Sequence, residues 1–90
     1  MLTNKDLGQA IRRLRRGRKL TIEDLAFAAD IHPTYLSGIE RGCSSPTFEK
    51  VVLLAHALDV PLPVLARRAE DEAEVARAMR EARARLGERA

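Results

Sequence analysis

Apolar residues along this chain recur every three or four positions, which is the spacing of an amphipathic helix rather than of a strand. In residues 5–16, for example, Leu7, Ile11 and Leu14 fall on one side and most charged residues on the other. The spacing returns along the chain, and breaks that contain proline precede the later stretches. The pattern predicts an all-α chain, with helices over residues 5–16, 21–28, 32–41 and 48–58 and a fifth from near residue 62. The apolar stripe expected on the fourth helix consists of Phe48, Val51, Val52, Ala55 and Leu58. At the start of the fifth helix, the residues expected to close the core are Val64, Leu65 and Ala66.

Residues 21–42 are predicted to form two short helices joined by a tight turn. Thr21 is a suitable N-cap for the first of them, and Asp24 stands where its side chain can bond back to the cap. Pro33 suits the first turn of the second helix, because its fixed φ is already helical. Gly42 is a natural end for that helix.

The second helix of this pair is predicted to turn Leu36 and Ile39 inward and to leave a small, polar outer side. A short helix braced by its predecessor, with such a surface, has the shape and chemistry to enter a DNA major groove. The residues expected on the outer side are Thr34, Tyr35, Ser37, Gly38 and Arg41.

These stretches resemble the helix-turn-helix of phage-repressor-like regulators, the Cro/cI (XRE) type. The segments that carry the resemblance are LGQAIRRLR at 7–15, LTIEDLA at 20–26, YLSGIERG at 35–42, PTF at 46–48 and LAHAL at 54–58. The resemblance implies a five-helix, phage-repressor-like helix-turn-helix DNA-binding domain over residues 7–66. A C-terminal helical extension would then occupy residues 67–90.

The resemblance assigns base reading to the first turn of the second helix and to a position one turn later. Here these positions hold His32, Pro33, Thr34 and Gly38, with Ser37 beside them. Thr34 is the best candidate, because its hydroxyl can hydrogen-bond a base and its methyl can meet a thymine methyl. His32 is left open between a helix cap, a phosphate contact and neither.

Other residues are expected at the DNA backbone rather than at the bases. The start of the first helix of the pair offers backbone amides and a partial positive charge to a phosphate. Tyr35 is expected either to contact the backbone or to pack inward. The predicted backbone contacts are Thr21, Tyr35, Arg41, Lys50 and one of Arg12 and Arg16.

The resemblance also implies that Arg15 faces inward and pairs with Glu40. A half-buried arginine–carboxylate pair can be bidentate, and it fixes orientation more than it adds net stability. These two residues are therefore expected to be structural rather than to read DNA.

The charge balance neither establishes nor excludes nucleic-acid binding. Sixteen basic residues against thirteen acidic ones give a net charge of +3, which is mild. Most of the basic residues are arginines, which suit forked contacts to phosphates and bases. A GC-rich genome would give the same bias towards arginine and alanine, so composition leaves both causes open.

The remaining candidate chemistry is sparse. Cys43 is the single cysteine, which excludes an internal disulfide and fits a reducing cytoplasm. His32, His56 and Cys43 lack the spacing of metal ligands, so no metal and no cofactor are expected. The sequence has neither an apolar run long enough for a membrane nor a secretion signal at its start, which predicts a cytoplasmic protein.

Residues 67–90 are dominated by alanine, glutamate and arginine, all strong helix formers. Val75, Met79, Ala82 and Leu86 follow one another at intervals of four, three and four residues, as in a coiled-coil seam. Together with Leu65 of the fifth helix, this seam is a candidate dimerisation element. The alternative is a solvated tail.

The sequence is compatible with two functions. The first is a sequence-specific DNA-binding transcriptional regulator that acts as a homodimer on a palindromic operator. The second is an antitoxin-like or adaptor module that keeps the fold and binds a protein partner, with weak or no DNA reading. Ile22, Pro33, Gly38 and the non-basic Cys43 and Ser44 favour the second, because relatives often place polar or basic residues there. Catalysis is not expected, because the chain has no phosphate-binding loop and no nucleophile–base arrangement.

Overall fold

The computed structural model describes residues 2–89, which form five α-helices and no strand. An all-α architecture is thereby confirmed. Among these residues, none of the helices is both long and apolar enough to cross a membrane. The helices are α1 (Asn4–Gly17), α2 (Ile22–Ala29), α3 (Pro33–Glu40), α4 (Phe48–Ala57) and α5 (Leu62–Arg89).

Threonine N-caps define the starts of three helices. Thr3 and Asp6 form a capping box at α1, in which the hydroxyl accepts from Asp6 N at 3.2 Å and the carboxylate accepts from Thr3 N at 3.0 Å. Thr21 and Asp24 form the same box at α2, with distances of 3.0 and 2.9 Å, which confirms the predicted cap. Thr47 caps α4. These bonds satisfy amide groups that have no partner within the helix.

A tight turn joins α2 to α3. Asp30 ends α2 in the left-handed conformation, with φ of 56° and ψ of 47°. The amide of Ile31 then donates to the carbonyl of Ala26 at 2.9 Å, which folds the chain back over the end of α2. Because this turn is closed by backbone hydrogen bonds, it sets the direction in which α3 leaves α2.

Aliphatic residues from all five helices form one core. Its largest fully buried side chains come from all five helices and from the residue that caps the end of α4. Helix α3 therefore packs against several neighbours at once. These fully buried side chains are Ile11, Leu25, Leu36, Ile39, Leu54, Leu58 and Leu65.

The predicted inner side of the fourth helix was partly wrong. Leu54, Ala55 and Leu58 are buried, but Phe48 is 73% exposed and Val52 also faces solvent. Phe48 is the first residue of α4, where the neighbouring helices do not cover it. Helical spacing places these residues near one face, but it does not show how far the packing extends along that face.

The start of α5 corrects two further expectations. Leu65 and Ala69 are buried, whereas Val64 and Ala66, which the sequence suggested would close the core, are exposed. Leu65 cannot contact a second subunit in this structure because it lies inside the core, so its assignment to a dimer surface is wrong.

Helix α5 continues across residue 67 without a break and runs antiparallel to α1. Arg13, late in α1, forms an ion pair with Glu72, and Thr3, at the start of α1, borders the same groove as Met79. Residues 81–89 follow the part of α5 that lies beside α1, and they are all exposed. The molecule is consequently elongated, with extents of 49 × 25 × 24 Å.

Candidate DNA-binding site

The outward side of α3 carries Thr34, Ser37 and Arg41. Their spacing of three and four residues places them along one side of the helix. Thr34 and Arg41 are exposed, and Ser37 is half-buried. Arg41 lies back along the helix, where its Nε donates to the carbonyl of Ser37 at 3.3 Å. The arrangement offers two hydroxyls and one guanidinium to a ligand on this side.

His32 is the N-cap of α3. Its Nδ1 accepts a hydrogen bond from the backbone amide of Thr34 at 3.0 Å. The neutral ring in this arrangement carries its proton on Nε2, which leaves that nitrogen as a donor. The sequence left three roles open for His32, and the structure shows the helix-capping role.

Two residues predicted on the outer side of α3 lie elsewhere. Tyr35 is half-buried and packs against the core, the second of its two expected positions. Gly38 is buried, and a Cβ built on it would approach Ser44 Oγ at 2.7 Å. Its carbonyl accepts from the amides of Cys43 and Ser44 at 2.9 and 3.2 Å. The expectation that Gly38 lies open to a base is wrong, since the following loop covers it.

The inward side of α3 is held by a buried ion pair. Arg15 Nε donates to Glu40 Oε2 at 2.8 Å, and Arg15 Nη2 donates to Glu40 Oε1 at 3.0 Å. Arg15 Nη1 donates to the carbonyl of Leu20 at 2.8 Å, so one guanidinium joins the end of α1, the loop before α2 and the end of α3. The hydrogen bonds to Glu40 raise the pKa of Arg15 against the opposing effect of burial, so the guanidinium stays charged.

Two glycines complete this attachment. Gly42 follows the end of α3 with positive φ, as the sequence predicted, but the close contact of both glycines between α1 and α3 was not predicted. A Cβ on Gly8 would lie 2.1 Å from the carbonyl oxygen of Ile39, so α1 and α3 touch through backbone. Gly42 has φ of 77°, and a Cβ there would lie 2.7 Å from Lys5 Cα. A glycine inside the helical pattern of α1 was the available signal, because glycine there is unfavourable without a packing reason.

The start of α2 is less electropositive than a free helix end. The amides of Thr21 and Asp24 are already engaged in the capping box, and Glu23 and Asp24 place two acidic side chains in the first turn. Hydrogen bonds from Thr21 lower the pKa of Asp24, and the bond from the Thr21 backbone amide has a larger effect than the bond to the Thr21 side chain. The Asp24 carboxylate therefore stays ionised. A phosphate here would meet negative charge, which weakens the predicted contact at Thr21.

The other predicted phosphate contacts lie on α1 and α4. Arg12 is half-buried and Arg16 exposed, and both border a shallow depression of about 490 Å³ along α1. Lys50 is half-buried in the first turn of α4. Within residues 2–89, no group of three or more potential metal ligands comes together.

The geometry is that of a short exposed helix, fixed at its inner side and preceded by a bracing helix. The family model of the helix-turn-helix matches residues 11–65, which include both helices and most of the core. The chain belongs to the helix-turn-helix family. The resemblance to Cro/cI-type regulators is thereby confirmed. This helix-turn-helix family consists of DNA-binding regulators rather than enzymes.

Similar proteins include both a curated relative and solved structures. The chain is 37% identical over 54 residues to control protein C.BamHI of Bacillus amyloliquefaciens, covering 59% of this chain and 67% of that protein. It is similar to the restriction-modification controller protein C.AhdI of Aeromonas hydrophila, with 34% identity, a TM-score of 0.68 and coverage of 69% and 94%. The clp gene regulator ClgR of Corynebacterium glutamicum gives 30% identity, a TM-score of 0.83 and coverage of 96% and 90%.

Proposed function

We propose that this helix-turn-helix protein is a sequence-specific transcriptional regulator that places α3 in the major groove of an operator. The observation that carries this proposal is the outward side of α3, where Thr34 and Arg41 are exposed and Ser37 is half-buried, on a helix whose opposite side is fixed to α1. Base recognition needs such a rigid support, because a side chain must reach a base edge within hydrogen-bond distance. The relatives named as control proteins and gene regulators support this biological role.

The residues divide into readers and backbone contacts. Thr34 reads a base directly, and Ser37 and the Nε2 donor of His32 supply further hydrogen bonds. Arg41, Lys50 and Arg12 contact phosphates of the DNA backbone. Thr21 contributes less to phosphate binding than the resemblance implies, because the acidic Glu23 and Asp24 follow it in the first turn of α2.

The regulator acts as a homodimer on a palindromic site. One such domain covers a small area of DNA, so a second copy is needed for affinity and specificity. Two α3 helices related by a two-fold axis would enter successive major grooves about 34 Å apart. Val75, Met79 and Leu86 remain the candidate dimer contacts, since their side chains are exposed. The proposed location is the cytoplasm, where such a dimer has access to the chromosome.

Selection from random duplex DNA tests this function directly. The expected product is an inverted repeat whose half-sites are about ten base pairs apart, centre to centre. Binding to that duplex should weaken steeply as the salt concentration rises, because phosphate contacts release counterions. Recovery of no consensus sequence, together with binding that is equal for all duplexes, would contradict the proposal.

One observation favours a second candidate, the protein-interaction module. Phe27 is 89% exposed and Phe48 is 73% exposed, on two helices that pack against each other. Contiguous exposed apolar patches mark protein-interaction sites, and these two rings are the largest exposed apolar side chains of α2 and α4. If this candidate holds, the Phe27→Ser, Phe48→Ser double variant abolishes capture of a protein partner, while selection from random DNA recovers no sequence with the unaltered chain.

A further inference from the structure

A groove of about 820 Å³ lies between the start of α1 and the middle of α5. Its apolar lining is formed by Leu2, Val75 and Met79, whose side chains are 45%, 52% and 53% exposed. Charged residues of both helices border it. Three large apolar side chains on one concavity are more than the scattered exposure of a monomer surface requires.

The end of α5 presents the complementary feature. Residues 81–89 extend past the start of α1, and every one of them is exposed. Leu86 is the large apolar residue of this segment, and it is 65% exposed. A helical segment of this length gains little from its own hydrogen bonds in water, and packing of an apolar face is the usual source of its stability.

Charge is distributed unevenly along α5. Its middle carries an acidic run, Glu70, Asp71, Glu72 and Glu74, without a basic residue between them. Residues 77–89 hold five arginines and two glutamates. A parallel pair of α5 helices would place each run beside its own copy, where like charges repel, whereas an antiparallel pair would place the two runs towards each other.

We propose that the groove receives residues 81–89 of a second copy of this chain, with the two α5 helices antiparallel. In the register that the seam favours, Val75 of one copy faces Leu86 of the second, and Met79 faces Ala82. The exposed end of each helix then covers the groove of the other copy. The arrangement obeys two-fold symmetry, so the same contact forms twice.

The lengths of the two surfaces agree with this register. In the seam, Leu86 lies eleven positions after Val75, which is about 16 Å along the helix. The nine exposed residues after Arg80 lie opposite residues 72–80, which include most of the α5 positions that border the groove. The pairing specifies the contact within the proposed dimer and rests on that part of the proposed function.

Cysteine cross-linking distinguishes the two helix directions. In a Cys43→Ser background, Val75→Cys and Leu86→Cys are prepared separately and mixed under mild oxidation. Antiparallel pairing predicts that the mixture forms a disulfide between the two variants at least about tenfold faster than either variant links to itself, because only residues 75 and 86 approach bonding distance. Self-linking of each variant alone would show parallel pairing and overturn the proposal.

Sedimentation equilibrium supplies an independent readout of the same surface. Met79→Arg should raise the dimer dissociation constant at least about tenfold, since it places a charge in the apolar seam. Ala84→Arg is the matched control, because it adds the same charge on the far side of the helix, and it should leave the constant within about twofold. Equal effects of the two variants would contradict the proposal. Gel shifts on the selected operator separate a failure of this pairing from a failure of the proposed function. If the chain binds the operator as a dimer but forms no disulfide between residues 75 and 86, only the antiparallel α5 pairing is overturned.

Discussion

The two sides of α3 differ in how strongly the rest of the molecule constrains them. The inward side holds Leu36 and Ile39 in the core and Glu40 in a bidentate pair with Arg15. The outward side leaves Thr34 and Arg41 exposed, with few bonds to other elements. One side therefore sets where the helix lies, and the other is free to vary in chemistry without loss of the fold. Changes on the two sides should separate stability from DNA recognition.

The largest expected effect is on the inward side. Glu40→Ala removes one partner of a buried pair and leaves the Arg15 guanidinium without its carboxylate, which should lower the free energy of unfolding by about 3–5 kcal/mol. Urea unfolding followed by circular dichroism measures this change. Glu49→Ala, at an exposed position of α4, is the control. An unchanged unfolding midpoint for Glu40→Ala would remove the main difference between the two sides.

The backbone contact at Gly8 should rank next. Gly8→Ala forces a methyl group against the carbonyl of Ile39, and we expect a loss of about 2–3 kcal/mol of unfolding free energy. Gly17 is a matched control, since a Cβ there meets no atom within 4 Å. Gly17→Ala should stabilise the protein by about 0.5–1 kcal/mol, because alanine is the better helix former. If both variants shift the thermal midpoint alike, α1 and α3 are not in backbone contact.

On the outward side, Arg41→Ala should leave stability unchanged and weaken DNA binding. Loss of one phosphate contact should reduce affinity for all duplexes by a similar factor and lower the slope of log affinity against log salt by about one. Fluorescence anisotropy at several salt concentrations measures both quantities. Arg68→Ala removes an equal charge from an exposed position of α5 outside the groove and outside residues 81–89, and it should retain the slope of the unaltered chain.

The smallest effect concerns the cap of α2, which supports α3 indirectly. Because the pKa of Asp24 is lowered in the folded state, its carboxylate stabilises the fold at pH values above the ordinary aspartate pKa. This contribution disappears as the pH falls through the lowered pKa. Unfolding of Asp24→Asn should therefore match the unaltered chain once the pH is below the lowered pKa, and show lower stability at pH values above the ordinary aspartate pKa. A difference that persists at low pH would assign the effect to something other than ionisation.

Local signals explain why much of this fold was predictable. The Thr21 cap, the proline at the start of α3 and the inward pair Leu36 and Ile39 each depend on residues within one or two turns. The family resemblance added the Arg15–Glu40 pairing, which no local rule gives, because the two residues are 25 positions apart.

The errors arose where distant segments decide the outcome. Gly38 appeared open because the sequence does not show that the loop through Ser44 returns over it. Phe48 appeared buried because helical spacing does not show where neighbouring helices stop. Leu65 was placed at a dimer contact, although α5 turns it into the core. Each case depends on how elements pack, which periodicity leaves undetermined.

The central claim is that the outward side of α3 reads DNA through Thr34. The most direct measurement compares the unaltered chain and Thr34→Ala on the selected operator and on operators with single base-pair changes. We predict that the unaltered chain rejects a change at one position in each half-site by about tenfold or more, and that Thr34→Ala loses discrimination at that position alone while its unfolding free energy stays unchanged. An identical pattern of discrimination in the two proteins would contradict the account.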